Sequence, residues 1–271
     1  MSNRFCFALL AAGALAWGQD PGLRGPASGL VFDAPSQSVR IINGIPGAAY
    51  LGPAVVSGVS AASLSPDGQA ALVQKEDGWF LVTGLNSAEP LWTPAAGLVA
   101  APRLISWSAD GQAAAWTGQS GEAVHLFKTS SVSETVLPVQ DLAGRITALA
   151  AAPGGEAVYA AVLDDERGGS IYRAGTDGAW VLLASTKGAA ALALASSVTL
   201  YAADTANGDL LRIQPALEAG TETLGSLSAG APAVALQISR DGRRLLAAGG
   251  GEEPRIEVFD IASREFSEPV A

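Results

Sequence analysis

The chain has one cysteine, one histidine and one methionine in 271 residues, and its 16 Lys+Arg are outnumbered by 26 Asp+Glu. Each shortage excludes something. Cys6 sits near the start of an apolar segment, and beyond it no thiol remains for a disulfide, a thiolate metal site or a cysteine nucleophile. A zinc site built on imidazoles, or a histidine-based hydrolase, calls for more than the lone His125. The net charge of −10, with no Lys/Arg cluster to interrupt it, repels a phosphate backbone, so nucleic acid is not an expected partner. There is no Gly-x-Ser-x-Gly elbow, no His-x-x-x-His spacing and no dinucleotide glycine fingerprint, so no cofactor or metal is expected.

Long apolar runs are also missing. The longest near the N-terminus, Phe5 to Trp17 behind Arg4, is too short for the roughly 20 residues a bilayer needs. With Ala16-Trp17-Gly18 at its end, the segment has the layout of a secretory signal peptide, residues 1–18, and the mature chain is expected to begin near Gln19. Cys6 is then removed. What remains is 253 residues with 15 Lys+Arg against 26 Asp+Glu, a net charge of −11. The expected location is exported, periplasmic or extracellular, with no stable membrane insertion after cleavage. At 49% hydrophobic and 15% charged residues the mature chain can bury a large core without covalent staples.

What the chain does have is a repeat. Ala62 to Val73, with Ser65-Pro66-Asp67-Gly68 at its centre, returns around Ser108-Ala109-Asp110-Gly111, Pro153-Gly154-Gly155, Ser196-Ser197 and Ser239-Arg240-Asp241-Gly242. The spacings between Gly68, Gly111, Gly155, Ser197 and Gly242 are 43, 44, 42 and 45. Four strands of roughly 5 residues with short turns fill that period, which is the signature of propeller blades. A helical repeat conflicts with the Gly, Pro and Asp-Gly breaks that intrude about every ten residues.

The expected fold is all-β: a single β-propeller, residues 29–271, of six blades of antiparallel strands, after a linker at 19–28. Inner strands are predicted near 60–65, 103–108, 146–151, 190–195 and 234–239. Gly29-Leu30-Val31-Phe32-Asp33 and Ser38-Val39-Arg40-Ile41-Ile42 read as a hairpin, with a further strand at Ala49-Tyr50-Leu51, and these make a reduced first blade at 29–56. Closure by such a blade is needed because an open ring would expose strand edges.

Leu64-Ser65-Pro66-Asp67-Gly68 resembles the inner-strand turn of bacterial YVTN and TolB-like propeller repeats, with partial matches at Trp107 to Gly111 and Ile238 to Gly242. Leu200 to Ile213 is similar to an NHL repeat. The Gly-His and Trp-Asp signatures of WD repeats are absent, so the WD40-like likeness stays at superfamily level. The resemblance spans about 210 residues and implies a fold, while propellers host hydrolases, lyases, lectins and scaffolds alike. The expected function is an exported non-enzymatic module that binds a protein or a small ligand. The alternative is a propeller hydrolase or lactonase using channel carboxylates or a bound cation.

Several residues have a plain structural reading. His125 is expected in the third strand of its blade as a packed or surface residue. Asp204-Thr205-Ala206-Asn207-Gly208-Asp209 lacks the alternate-residue spacing of a calcium loop and reads as a hairpin, as does Asp164 to Gly169. Tryptophans 79, 92, 107, 116 and 180 hold no fixed place in the repeat and read as inter-blade packing. One pattern carries function. Arg103, Arg145 and Lys187 stand 8, 10 and 10 residues before Gly111, Gly155 and Ser197, just ahead of three successive inner strands. Placed together at the channel mouth, they would attract an anion or a partner's carboxylate.

Overall fold

In the computed structural model the described residues are 27–45, 47–87, 89–95, 98, 101–131, 133–196, 199–215, 220–227, 233–239, 241–249 and 255–267. The leader at 1–18, most of the linker and the turn position Ser197 lie outside them. Six small antiparallel sheets form a six-bladed propeller, and among the described residues the only helical piece is a single 3-10 turn at Pro153–Gly155.

The first blade holds three strands, β1 (Ala27–Asp33), β2 (Ser38–Ile45) and β3 (Ala48–Ser57). The second holds β4 (Ala61–Leu64), β5 (Ala70–Lys75), β6 (Gly78–Thr83) and β7 (Leu91–Pro94). The third holds β8 (Leu104–Trp107), β9 (Ala113–Thr117), β10 (Ala123–Lys128) and β11 (Ser133–Pro138). The fourth holds β12 (Arg145–Ala151), β13 (Ala157–Asp164), β14 (Gly168–Gly175) and β15 (Trp180–Thr186). The fifth holds β16 (Ala190–Ser196), β17 (Thr199–Asp204), β18 (Asp209–Gln214) and β19 (Gly220–Ser226). The sixth holds β20 (Ala233–Ile238), β21 (Arg244–Gly249), β22 (Arg255–Asp260) and β23 (Glu265–Phe266).

All five predicted inner strands coincide with β4, β8, β12, β16 and β20, and the reduced blade is the first one, since the sixth owns four strands. The predicted strand at 49–51 is longer than expected. It runs to Ser57 because the pairing of β2 with β3 slips twice near Arg40, which lets Pro53 enter a strand without a ladder donor. Arg40 Nε fills the gap by donating to the Gly52 carbonyl at 2.9 Å.

The second strands of the second to fifth blades explain the continuous apolar runs. The two faces of such a strand meet two different neighbours. In β5, Ala70 and Leu72 join Ala114 and Trp116 of the third blade, whereas Ala71 and Val73 join Val39 and Val56 of the first. In β13, Val158, Ala160 and Val162 face the third blade, and Ala157, Tyr159 and Ala161 face the fifth. A strand buried on both faces cannot alternate polar with apolar, so the pattern along these strands is uniform.

Candidate functional site

The inner strands have two ends with different construction. At the C-terminal end the Ser-x-Asp-Gly turn is a closed unit. Buried Ser108 donates from Oγ to Asp110 Oδ1 at 2.6 Å and accepts from the Ala113 amide at 2.9 Å, while Asp110 Oδ1 accepts the Gln112 amide at 3.1 Å. Ser65 with Asp67, and Ser239 with Asp241, repeat the arrangement. Gly68, Gly111 and Gly242 take φ of 69°, 69° and 71°, the left-handed region that a side chain strains. Turns also touch across blades. Asp110 Oδ2 accepts the Gly154 amide of the fourth blade at 2.9 Å, and Gly111 leaves room for the Asp67 carboxylate, whose Oδ1 would lie 2.4 Å from any Cβ there. This end is fully committed to structure.

The N-terminal ends are more open. The links that precede them are pinned by backbone: the Arg103 amide donates to the Thr117 carbonyl at 2.8 Å, and the Thr205 amide to the Ala189 carbonyl at 2.8 Å. Asp204, buried at the end of β17, accepts the Lys187, Gly188 and Ala206 amides at 2.7, 3.1 and 2.9 Å. Gly188 fits because a Cβ there would lie 2.8 Å from that of Ala206.

Between these links a recess of about 330 Å³ opens at the starts of β8, β12 and β16. Arg103 and Arg145 both line it, with Leu104, Ile146, Thr147, Ala148, Ala189 to Ala191 and Thr205. Lys187 is exposed two residues before the Ala189 wall and is not among the lining residues. The Arg103 guanidinium donates through Nη2 to the Ile146 carbonyl in the next blade. Among the described residues no carboxylate pairs with Arg103, Arg145 or Lys187, in contrast to Arg212 and Arg264, which both hold Glu222. Sequence reasoning marked the cations but missed the Thr147 bulge and Thr205, which have no motif of their own.

The other residues have structural surroundings. His125 lies in β10, stacked on Trp116 at 5.5 Å between ring centroids and hydrogen-bonded to Glu134. Asp164 accepts the Glu166 and Arg167 amides, and those two bonds hold its carboxyl below the ordinary range. Asn207 and Asp209 bond each other across a β17–β18 hairpin in which Gly208 has φ 75°. Trp107 Nε1 reaches Ser63 Oγ at 3.0 Å and Trp180 Nε1 the Pro138 carbonyl at 2.8 Å, both across blade boundaries.

The chain is similar to a chain in a crystal structure of a nidogen/laminin complex, with TM-score 0.58 and 15% identity over 86% of this chain and 90% of that one. It is also similar to a chain in a crystal structure of a mitotic checkpoint complex, with TM-score 0.59 and 14% identity over 100% of this chain and 89% of that one. These likenesses show a shared fold. No family model and no curated protein matches. Because 1057 chains of solved structures match and a propeller hosts many activities, architecture alone does not choose among them, and function must be sought in the recess.

Proposed function

We propose that the protein is an exported, non-enzymatic propeller that serves as an interaction scaffold or ligand-binding module, with an anionic group of its partner held at the channel mouth by Arg103, Arg145 and Lys187. The observation that carries this reading is the common recess lined by Arg103 and Arg145 from adjacent blades, each without a carboxylate partner among the described residues. Unpaired cations beside an apolar wall attract anions more strongly than the same charges on an open surface. The carboxylate beside the recess gives little support to the hydrolase alternative, because Asp204 is already occupied by three backbone amides. Export rests on the sequence of the first 18 residues.

The test is binding of a glutamate decamer and a lysine decamer at low and high salt, by the parent chain and by a variant with Ala at all three positions. The glutamate peptide alone should bind, more weakly as salt rises, and the triple variant should lose that binding while its unfolding midpoint changes little, since exposed cations contribute roughly 0–1 kcal/mol each. Equal binding of both peptides, or full retention by the triple variant, would refute the reading. N-terminal sequencing of the exported protein should begin at Gln19.

A further inference from the structure

We infer that the recess is a carboxylate subsite in which Arg103 sets the geometry and Arg145 supplies charge, and that it accepts one carboxylate on a short aliphatic stem. This rests on the channel-mouth reading above and goes further by naming the ligand's chemistry.

The asymmetry between the two arginines begins in β12. Ile146 pairs with Val162 and Ala148 with Ala161, so Thr147 is an extra residue in the ladder. A bulge of this kind re-aims the groups around it, and here the Ile146 carbonyl receives the Arg103 guanidinium. A guanidinium is a rigid plane with five donors, so one anchored N–H fixes its orientation and leaves a paired N–H edge for a planar, two-oxygen acceptor. Arg145 has no such anchor. It is exposed at the first position of β12, and among the described residues no hydrogen bond or ion pair engages its side chain.

The rest of the recess narrows the ligand. Thr205 lines it with a hydroxyl that has no partner among the described residues, whereas the Thr147 hydroxyl already donates to the Ala161 carbonyl at 3.3 Å. Leu104, Ala148 and Ala190 supply an apolar wall suited to methylene groups. At a liquid share of roughly 30 Å³ per water, about 330 Å³ holds on the order of eleven waters, enough for an acidic side chain or a small acid.

The apolar wall favours an aliphatic carboxylate over inorganic phosphate, which has no methylene groups to bury against Leu104, Ala148 and Ala190. Arg145 stands opposite Leu163, two and three residues before Asp165 and Glu166 in the turn that follows β13. Their carboxylates have no partner among the described residues and temper the field of Arg145 at that rim only weakly, since charges on an exposed turn are screened.

The experiment is an amide NMR titration of the mature chain, read at Ala189 to Ala191, with four probes: butyrate, inorganic phosphate, and capped Gly-Glu-Gly and Gly-Gln-Gly peptides. Butyrate and the glutamate peptide should shift these amides saturably, phosphate at least tenfold more weakly, and the glutamine peptide not at all. Tighter binding of the glutamate peptide than of butyrate would identify the source as a protein side chain, and the reverse order a free acid; either order supports the subsite. Arg103→Lys should weaken binding at least tenfold and Arg145→Lys no more than threefold, because only the first position needs the fork. Arg103→Gln serves as a second variant, which keeps a donor for Ile146 without the fork and should lose binding equally. Phosphate binding as tightly as butyrate, or equal losses for the two lysine variants, would overturn the inference while leaving a general anion site intact. Anion binding unchanged in the variant with Ala at 103, 145 and 187 would overturn the channel-mouth reading as well.

Discussion

Asp110 and Asp241 occupy the same place in the repeat but have different reach, and comparing their removal measures what one inter-blade bond contributes. Both accept a serine hydroxyl at 2.6 Å and the amide two residues on at 3.1 Å. Asp110 alone also accepts an amide from the next blade, that of Gly154 at 2.9 Å. In Asp110→Ala the Gln112 amide is exposed and regains water, and the Ser108 hydroxyl can turn to the Ala113 carbonyl at 3.1 Å, so most of the loss is at Gly154. A hydrogen bond to a charged group contributes about 1.5–3 kcal/mol, to be discounted here because Asp110 and Gly154 are half-buried. Asp110→Ala should therefore cost about 2 kcal/mol, and Asp241→Ala, at an exposed carboxylate whose bonds are regained from water, clearly less. For a propeller of this size, a difference of about 1–1.5 kcal/mol lowers Tm by a further 2–6 °C. Urea unfolding at neutral pH, with unchanged slope as the control for two-state behaviour, gives the same comparison in free energy. Equal losses for the two variants would refute the reasoning, since the inter-blade bond would then add nothing to a self-contained turn.

Gly68 and Gly111 separate backbone strain from crowding: Gly68→Ala should cost about 1 kcal/mol from its left-handed φ alone, and Gly111→Ala about 1–2 kcal/mol more, because its Cβ must displace the Asp67 carboxylate. Denaturant midpoints check both. Trp107→Phe keeps the ring but removes the donor to Ser63 across the second and third blades, with an expected loss of about 0.5–1.5 kcal/mol by thermal unfolding. Asp164, Asp241 and Asp260 all titrate below their ordinary value, through the backbone bonds to Asp164, the Ser239 hydroxyl on Asp241 and the Ser263 amide on Asp260. Their contribution is complete above the unfolded-chain value near pH 4 and is lost as pH falls through the lower folded values, so Tm should be flat from neutrality to about pH 5 and decline below pH 4. Burial raises Tyr159 and Tyr201, whose contribution is present below about pH 10 and lost as pH rises through their folded values; titration of Tm at both extremes tests both signs.

The fold was legible because the repeat advertises its own turn chemistry. Ser65, Asp67 and Gly68 each have a separate reason to stand where they do, a buried hydroxyl, an amide acceptor and a left-handed φ, and such demands survive in degenerate copies such as Ser239, Asp241 and Gly242. The strand extent near Pro53 was not legible, because the register slips of β2 depend on backbone pairing that no local pattern encodes. The same holds for the recess. Spacing marked Arg103 and Arg145, but the carbonyl that anchors Arg103 comes from a bulge 43 residues away in the chain, and Thr205 enters from a third blade. Lys187 had the same spacing as Arg145, yet the strand that follows it presents alanines to the recess in its place.

The two ends of the inner strands thus divide the work of the propeller. At the turn end, each serine, aspartate and glycine is tied to its own blade and in two cases to the next, so a substitution there is felt as stability. At the opposite end the links are held by backbone amides, by Asp204, by the Thr186 hydroxyl on the Gly188 carbonyl and by the Arg103 guanidinium on the Ile146 carbonyl, while the side chains of Arg145 and Lys187 are left exposed. Positions that neither fill the core nor close a turn can change at little energetic cost, so binding specificity can be rewritten there while the ring stays intact. Arg103 joins two blades through the Ile146 carbonyl, whereas Arg145 and Lys187 make no such bond among the described residues, so only the first of the three cations has a role in the fold.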